Sequence, residues 1–132
     1  MKNFLILMSA LVLSSCSMFS KDTGEVISKP LTAVDSNREV VLPQNHIFRI
    51  VLPSNPTTGY TWNVVVDNPN VVSVESSKYL KDSSGRVGVG GETTWLLMAQ
   101  HKGNATLLFS YQRVWEEDVP PTRVVKFLLN VR

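Results

Sequence analysis

The chain is poor in the residues that carry most enzymatic and nucleic-acid chemistry. Its 132 residues include one cysteine, Cys16, and two histidines, His46 and His101. A single cysteine allows no intrachain disulfide, although an extracytoplasmic compartment would permit one. Because Cys16 lies in the N-terminal segment, the remaining chain has no thiol nucleophile either. The histidines fall at a strand start and in a short turn, neither beside a plausible serine or cysteine nucleophile in the sequence, so no nucleophile–base pair is legible. No cluster has metal-ligand spacing, and neither a catalytic residue nor a cofactor is expected. Charge is also scarce: 18% of residues are charged, and thirteen Lys and Arg against eleven Asp and Glu give a net +2. The basic residues are scattered, which argues against a surface that tracks phosphates and hence against a nucleic-acid partner. The long apolar stretch FLILMSALVL, Phe4 to Leu13, is shorter than the roughly 20 residues a spanning helix needs.

That stretch instead reads as the apolar part of a signal peptide, preceded by Lys2 and followed by Leu13-Ser14-Ser15-Cys16. The last four residues resemble a bacterial lipobox, which implies removal of residues 1–15 and acylation of Cys16. The other reading is a plain secretory signal with a free cysteine. Several acyl chains would anchor the protein to a membrane at about 0.8 kcal/mol per buried methylene. Ser17, rather than aspartate, follows the cysteine, which by the same resemblance points to the outer membrane of a bacterial envelope. Residues 16–32 are mixed and polar and read as a tether, with room for an edge strand at its end. Residues 33–132 form the domain, expected to be a monomer.

From Asn37 onward, short runs rich in β-branched and aromatic residues alternate with period two. They are Asn37–Leu42, His46–Leu52, Tyr60–Val66, Val71–Ser77, Thr93–Ala99, Ala105–Arg113 and Arg123–Val131. No segment has a helical period. Seven strands separated by Pro, Gly and Asn signals indicate an all-β, antiparallel sandwich. Trp62 is expected in the core, with Tyr60 and Val64 on its face. The connections alternate between short and elaborate. PQNH, DNPN and QHKGN are short, whereas SNPTTG, Lys78–Glu92 and Trp115–Thr122 are elaborate. In an up-and-down chain alternate connections share a pole, so the three elaborate loops should project together, where recognition commonly sits.

Each loop has its own chemistry. In the first, Pro56 fixes its φ and Gly59 can supply a positive one, holding Thr57 and Thr58 as a polar apex. The second ends in Gly88-Val89-Gly90-Gly91, either a flexible linker or a backbone that something must approach closely. The third opens with Arg113-Val114-Trp115 and continues into Glu116, Glu117 and Asp118. This acidic run reads as a solvated face and places Trp115 near the wet rim rather than in the core.

The ordered set NPTTGYTW, GVGG and RVW resembles the chagasin family of cysteine-protease inhibitors, whose pattern is NPTTGY or NPTTGF, GxGG and RPW. The resemblance spans Arg38 to Arg132, and the third motif departs from it at Val114, where the family has proline. It implies an immunoglobulin-like sandwich that reversibly blocks papain-family proteases, a binding protein and not an enzyme. Asn55, Pro56, Thr57, Thr58, Gly59 and Tyr60 would then enter the cleft, with both threonines near the protease's thiol. Gly88, Val89, Gly90 and Gly91 would lie on one side, with Arg113 and Trp115 on the other. The alternative is an envelope lipoprotein whose sandwich loops bind another protein without inhibiting it.

Overall fold

The computed structural model describes residues 29–84 and 90–132. Seven strands account for most of them: β1 (Glu39–Leu42), β2 (His46–Ser54), β3 (Tyr60–Val66), β4 (Val72–Lys81), β5 (Gly91–Ala99), β6 (Gly103–Arg113) and β7 (Arg123–Val131). Two single turns of 3-10 helix, Ala33–Asp35 and Pro56–Thr58, are the helical elements among the described residues. The strands form a four-stranded sheet in the order β1-β7-β6-β3 and a three-stranded sheet in the order β2-β5-β4. The all-β sandwich is therefore as the alternation indicates.

Period-two alternation puts one face of every central strand inside. Phe48, Ile50 and Leu52 of β2, Trp95 and Leu97 of β5, Leu107 and Phe109 of β6, and Phe127 and Leu129 of β7 are buried. Each fully buried Leu, Ile or Phe contributes about 1.5–3 kcal/mol, so these facing rows hold the two sheets together.

The pairing is not the up-and-down meander assumed from the sequence. Successive strands mostly change sheets, and β1 pairs in parallel with β7, Glu39 opposite Leu128. The direction of the chain nevertheless reverses at every strand. β2 and β4 both run antiparallel to β5, while β3 and β7 both run antiparallel to β6. Ser54, Lys81 and Gly91 thus end one sheet side by side, and Tyr60, Arg113 and Arg123 mark the same end of the other. The segment 55–59 joins those two ends. The strand ends that flank 55–59, 82–90 and 114–122 therefore share one pole, as expected, although strand direction rather than neighbour order is the cause.

Two other expectations change. Strand β4 continues to Lys81 and β5 begins at Gly91, so the second loop is shorter than Lys78–Glu92. Ser76, Ser77 and Lys78 lack an apolar alternation, and backbone pairing to β5 supplies the order that side chains do not. Trp62 shares the inward face of β3 with Tyr60 and Val64, but it is half-buried rather than a core residue. Strand β3 is an edge strand, so the Trp62 ring closes the side of the core, and its indole N–H donates to the Pro53 carbonyl at 3.0 Å. The buried tryptophan is Trp95, which keeps 5% of its surface exposed.

The end of the expected tether joins the sheet. Leu31 bridges Ile50 in parallel, with Leu31 N–H donating to Arg49 O and Val51 N–H to Leu31 O, both at 2.9 Å. Leu31 also packs against the core.

Phe109 touches Trp95, Trp62 and Phe127 and is wholly enclosed. Phe109→Ala should lower stability by about 3–5 kcal/mol in urea unfolding. Trp62→Ala, which removes a ring already partly in water, should cost less.

Candidate functional site

The site is the pole where the three elaborate loops meet. The first loop is a single 3-10 turn over Pro56–Thr58, entered with proline at its first position and closed by Gly59 at φ 82°. Its threonine hydroxyls turn inward: Thr57 Oγ1 donates to Asn55 Oδ1 at 2.5 Å and Thr58 Oγ1 to Asn55 O at 2.7 Å. The backbone adds Gly59 N–H to Pro56 O at 3.0 Å. The paired threonines therefore brace the loop's own backbone while remaining exposed at its tip. Asn55 N–H donates to the Tyr111 hydroxyl of β6 at 2.9 Å, which ties this loop to the opposite sheet.

Of the second motif, Gly88 and Val89 lie outside the described residues. The backbone of Gly90 lies directly against the first loop: a methyl group there would fall 2.6 Å from Ser54 O and 2.9 Å from Asn55 Cβ. A methyl on Gly91 would strike the Leu80 carbonyl of the paired strand. The close approach inferred from these glycines is thus made, for Gly90 and Gly91, within the molecule itself.

Arg113 joins the first loop to the third. Its Nε donates to Thr58 O at 3.1 Å and its Nη1 to Glu116 Oε1 at 3.0 Å. The guanidinium stacks 4.4 Å from the Tyr60 ring, its cross-strand neighbour, and lies 5.9 Å from the Trp115 ring. The hydrogen bond that Arg113 donates to Glu116 raises the Arg113 pKa above its ordinary value, so the cation is present at every physiological pH. Glu116 is therefore a partner of Arg113 and not simply part of a solvated acidic face. A half-buried surface ion pair of this kind contributes little alone, but here it fixes a side chain that four groups share.

Trp115 is 65% exposed, as its position beside the acidic run predicted. Its ring lies over Gly59, where a Cβ would collide with it. Gly59 is thus required twice, by its left-handed backbone and by the ring above it. His46 and His101 lie at the opposite pole, and among the described residues no group of three or more His, Cys, Asp and Glu could hold a metal ion.

The chain has relatives among known proteins. Residues 41–131 fit the model for the chagasin family of peptidase inhibitors, I42. The chain belongs to that family. It is 27% identical over 103 residues to amoebiasin-2 of Entamoeba histolytica, covering 77% of this chain and 84% of that one. It is 28% identical over 94 residues to chagasin of Trypanosoma cruzi, covering 67% and 84%. In shape it resembles the crystal structure of a cysteine protease inhibitor from Entamoeba histolytica, with a TM-score of 0.70 at 21% identity over 81% of this chain and 95% of that one. The family and the all-β sandwich anticipated from the sequence are thereby established.

Sequence reasoning missed two members of the site. Tyr111 follows Ala105, Leu107 and Phe109 on the inward face of β6, so the alternation could have placed it beside the first loop. The pairing of Glu116 with Arg113 three residues earlier carried no such signal, because the chain turns between them.

Val114, where the family has proline, is 77% exposed. It occupies the second position of a turn closed by Glu116 N–H donating to Arg113 O at 3.2 Å. Proline is favoured at that position, removes no bond from this turn, and follows an extended strand residue that tolerates it. Val114→Pro should therefore slow dissociation from a susceptible protease about two- to fivefold, from about 0.4–1 kcal/mol of lost loop entropy, in surface kinetics. An unchanged rate in the folded variant would mean that Arg113 already supplies the rigidity.

Proposed function

We propose that this protein is a reversible inhibitor of papain-family cysteine proteases that occludes the active-site cleft with the three loops of one pole. The observation that carries this reading is the convergence of the loops on one brace: Arg113 holds Thr58, Tyr60, Glu116 and Trp115 together, and Gly90 closes against Asn55. Family membership supplies the class of target. Asn55, Pro56, Thr57, Thr58, Gly59 and Tyr60 form the central wedge, with Gly88, Val89, Gly90 and Gly91 to one side and Arg113 and Trp115 to the other.

The wedge blocks without reacting. The first loop presents a 3-10 turn whose hydroxyls are engaged by Asn55, so no nucleophile or electrophile faces the protease thiol, and a complex forms and dissociates intact. A loop tied at both ends and across its middle loses little conformational freedom on docking. Trp115, burying roughly 150–250 Å² at about 25 cal/mol per Å², would contribute a gross term of about 4–6 kcal/mol before binding costs.

Cys16, which precedes the described residues, is the proposed site of the lipid anchor, on the outer membrane of a bacterial envelope. The parallel run of Leu31 along β2 supports a useful orientation. Strand β2 runs toward the loop pole, so the chain enters the domain from the other end and an anchor there would leave the wedge facing away from the membrane.

Trp115→Ala should weaken inhibition of papain by about 2 kcal/mol or more with little change in melting temperature, while trypsin and caspases remain unaffected by the wild-type protein. Comparable inhibition of trypsin, or a covalent adduct by mass spectrometry, would contradict the mechanism. Cys16→Ser should abolish labelling by a radioactive fatty acid and release the protein from the membrane fraction, yet leave inhibition intact. An unlabelled, soluble wild-type chain would contradict the anchor.

A further inference from the structure

Below the first loop, on the side of the sandwich where the edge strands β3 and β4 leave the two sheets unjoined, lies an open groove of about 360 Å³. Trp95 and Trp62 form its inner wall, Tyr79 and Ser77 line it from β4, and Pro56 and Tyr60 of the first loop form its upper edge. No charged residue lines it.

A β-bulge creates this groove. Val72 and Val74 of β4 stand opposite the inward residues Ala99 and Leu97. Continued alternation would bring Ser76, Lys78 and Leu80 to the same face. Instead the register shifts between Val74 and Ser76, which sets Ser77 opposite Trp95 and Tyr79 opposite Thr93. One extra residue exchanges the two faces of a strand, so a lysine turns outward and a small hydroxyl residue leaves the Trp95 side open. The indole N–H of Trp62 is already held by Pro53 O, so that ring offers only carbon to an occupant.

We infer that this groove is a second contact for the protease, receiving an apolar side chain from a loop at the rim of its active-site cleft. The inference rests on the inhibitor reading above and extends that surface down the flank of the sandwich. Continuity identifies the occupant: Pro56 and Tyr60 belong both to the wedge and to the groove, so a molecule that admits the first loop brings its own cleft rim against this opening. The lining sets the chemistry, because uncharged aromatic walls favour an aliphatic or aromatic side chain, and such pockets are where interface anchors dock. Proteases whose rim carries a charge at that place should be inhibited less well.

Ser77 is exposed on an edge strand, so Ser77→Arg can fill the groove without disturbing the core. It should raise the inhibition constant for papain roughly tenfold or more, the scale of losing one interface anchor, with an unchanged melting temperature. Val41→Arg, at an exposed position on the far edge strand β1, should inhibit as the wild type does. Trp115→Ala measured alongside separates the two ideas. Loss of inhibition with Trp115→Ala but none with Ser77→Arg would overturn the groove alone, whereas a wild-type protein that fails to inhibit would overturn both. In a complex with thiol-blocked papain, 19F resonances of 5-fluorotryptophan at Trp62 and Trp95 should shift. A shift confined to Trp115 would place the protease elsewhere.

Discussion

A continuous column of aromatic rings connects the centre of the core to the tip of the molecule, and the site depends on it. Phe127 meets Phe109 at 5.6 Å, Phe109 meets Trp95 at 4.8 Å and Trp62 at 6.5 Å, and Trp62 meets Tyr111 at 4.7 Å. Tyr111 stacks on Tyr60 at 5.3 Å, and Arg113 lies on Tyr60. Close-packed interiors transmit position, since side chains in them occupy single rotamers with few voids. The column carries that order outward until its last members, Tyr60, Arg113 and Tyr111, are themselves loop anchors. The first and third loops inherit the rigidity of the core through side chains, while their backbones stay short and largely exposed.

This arrangement decides what kind of binding the pole can perform. Flexible loops would have to be ordered at about 0.5–1.5 kcal/mol for each immobilised side chain, which would consume much of what Trp115 can contribute. Here the ordering is done on folding. Asn55 is held by Tyr111 and by both threonines, Thr58 is held by Arg113, and Gly59 and Gly90 let neighbouring groups approach where any side chain would intrude. Gly59, Gly90 and Gly91 serve internal contacts first, and the proposed recognition surface is built on those contacts.

Much of this was legible from residue order. Strict alternation in β2, β6 and β7 located those strands closely because both sheets bury one face, so every second residue carries the signal. The shared pole of the loops was also legible, since a chain that reverses at each strand must return its alternate connections to the same end whatever the pairing. The parallel β1–β7 pair was not, because neighbour choice depends on how the two sheets close over each other. The extension of β4 from Lys78 to Lys81 was hidden because this edge segment is exposed and carries no buried alternation. Trp62 was misread as core because alternation gives the face of a strand but not its distance from the sheet edge. Trp115 could be placed at the rim from the acidic residues after it. Its support by Gly59, and the pairing of Arg113 with Glu116, arise only when the turn brings separated residues together.

The most direct test is a crystal structure of the protein bound to papain with its catalytic thiol blocked. The account predicts that Thr57 and Thr58 lie against that thiol, with Trp115 and Gly90 on opposite sides of the cleft and the loop backbones within about 1 Å of their positions in the free protein. A protease seated on another face of the sandwich, or loops rebuilt on binding with Arg113 released from Thr58, would contradict it.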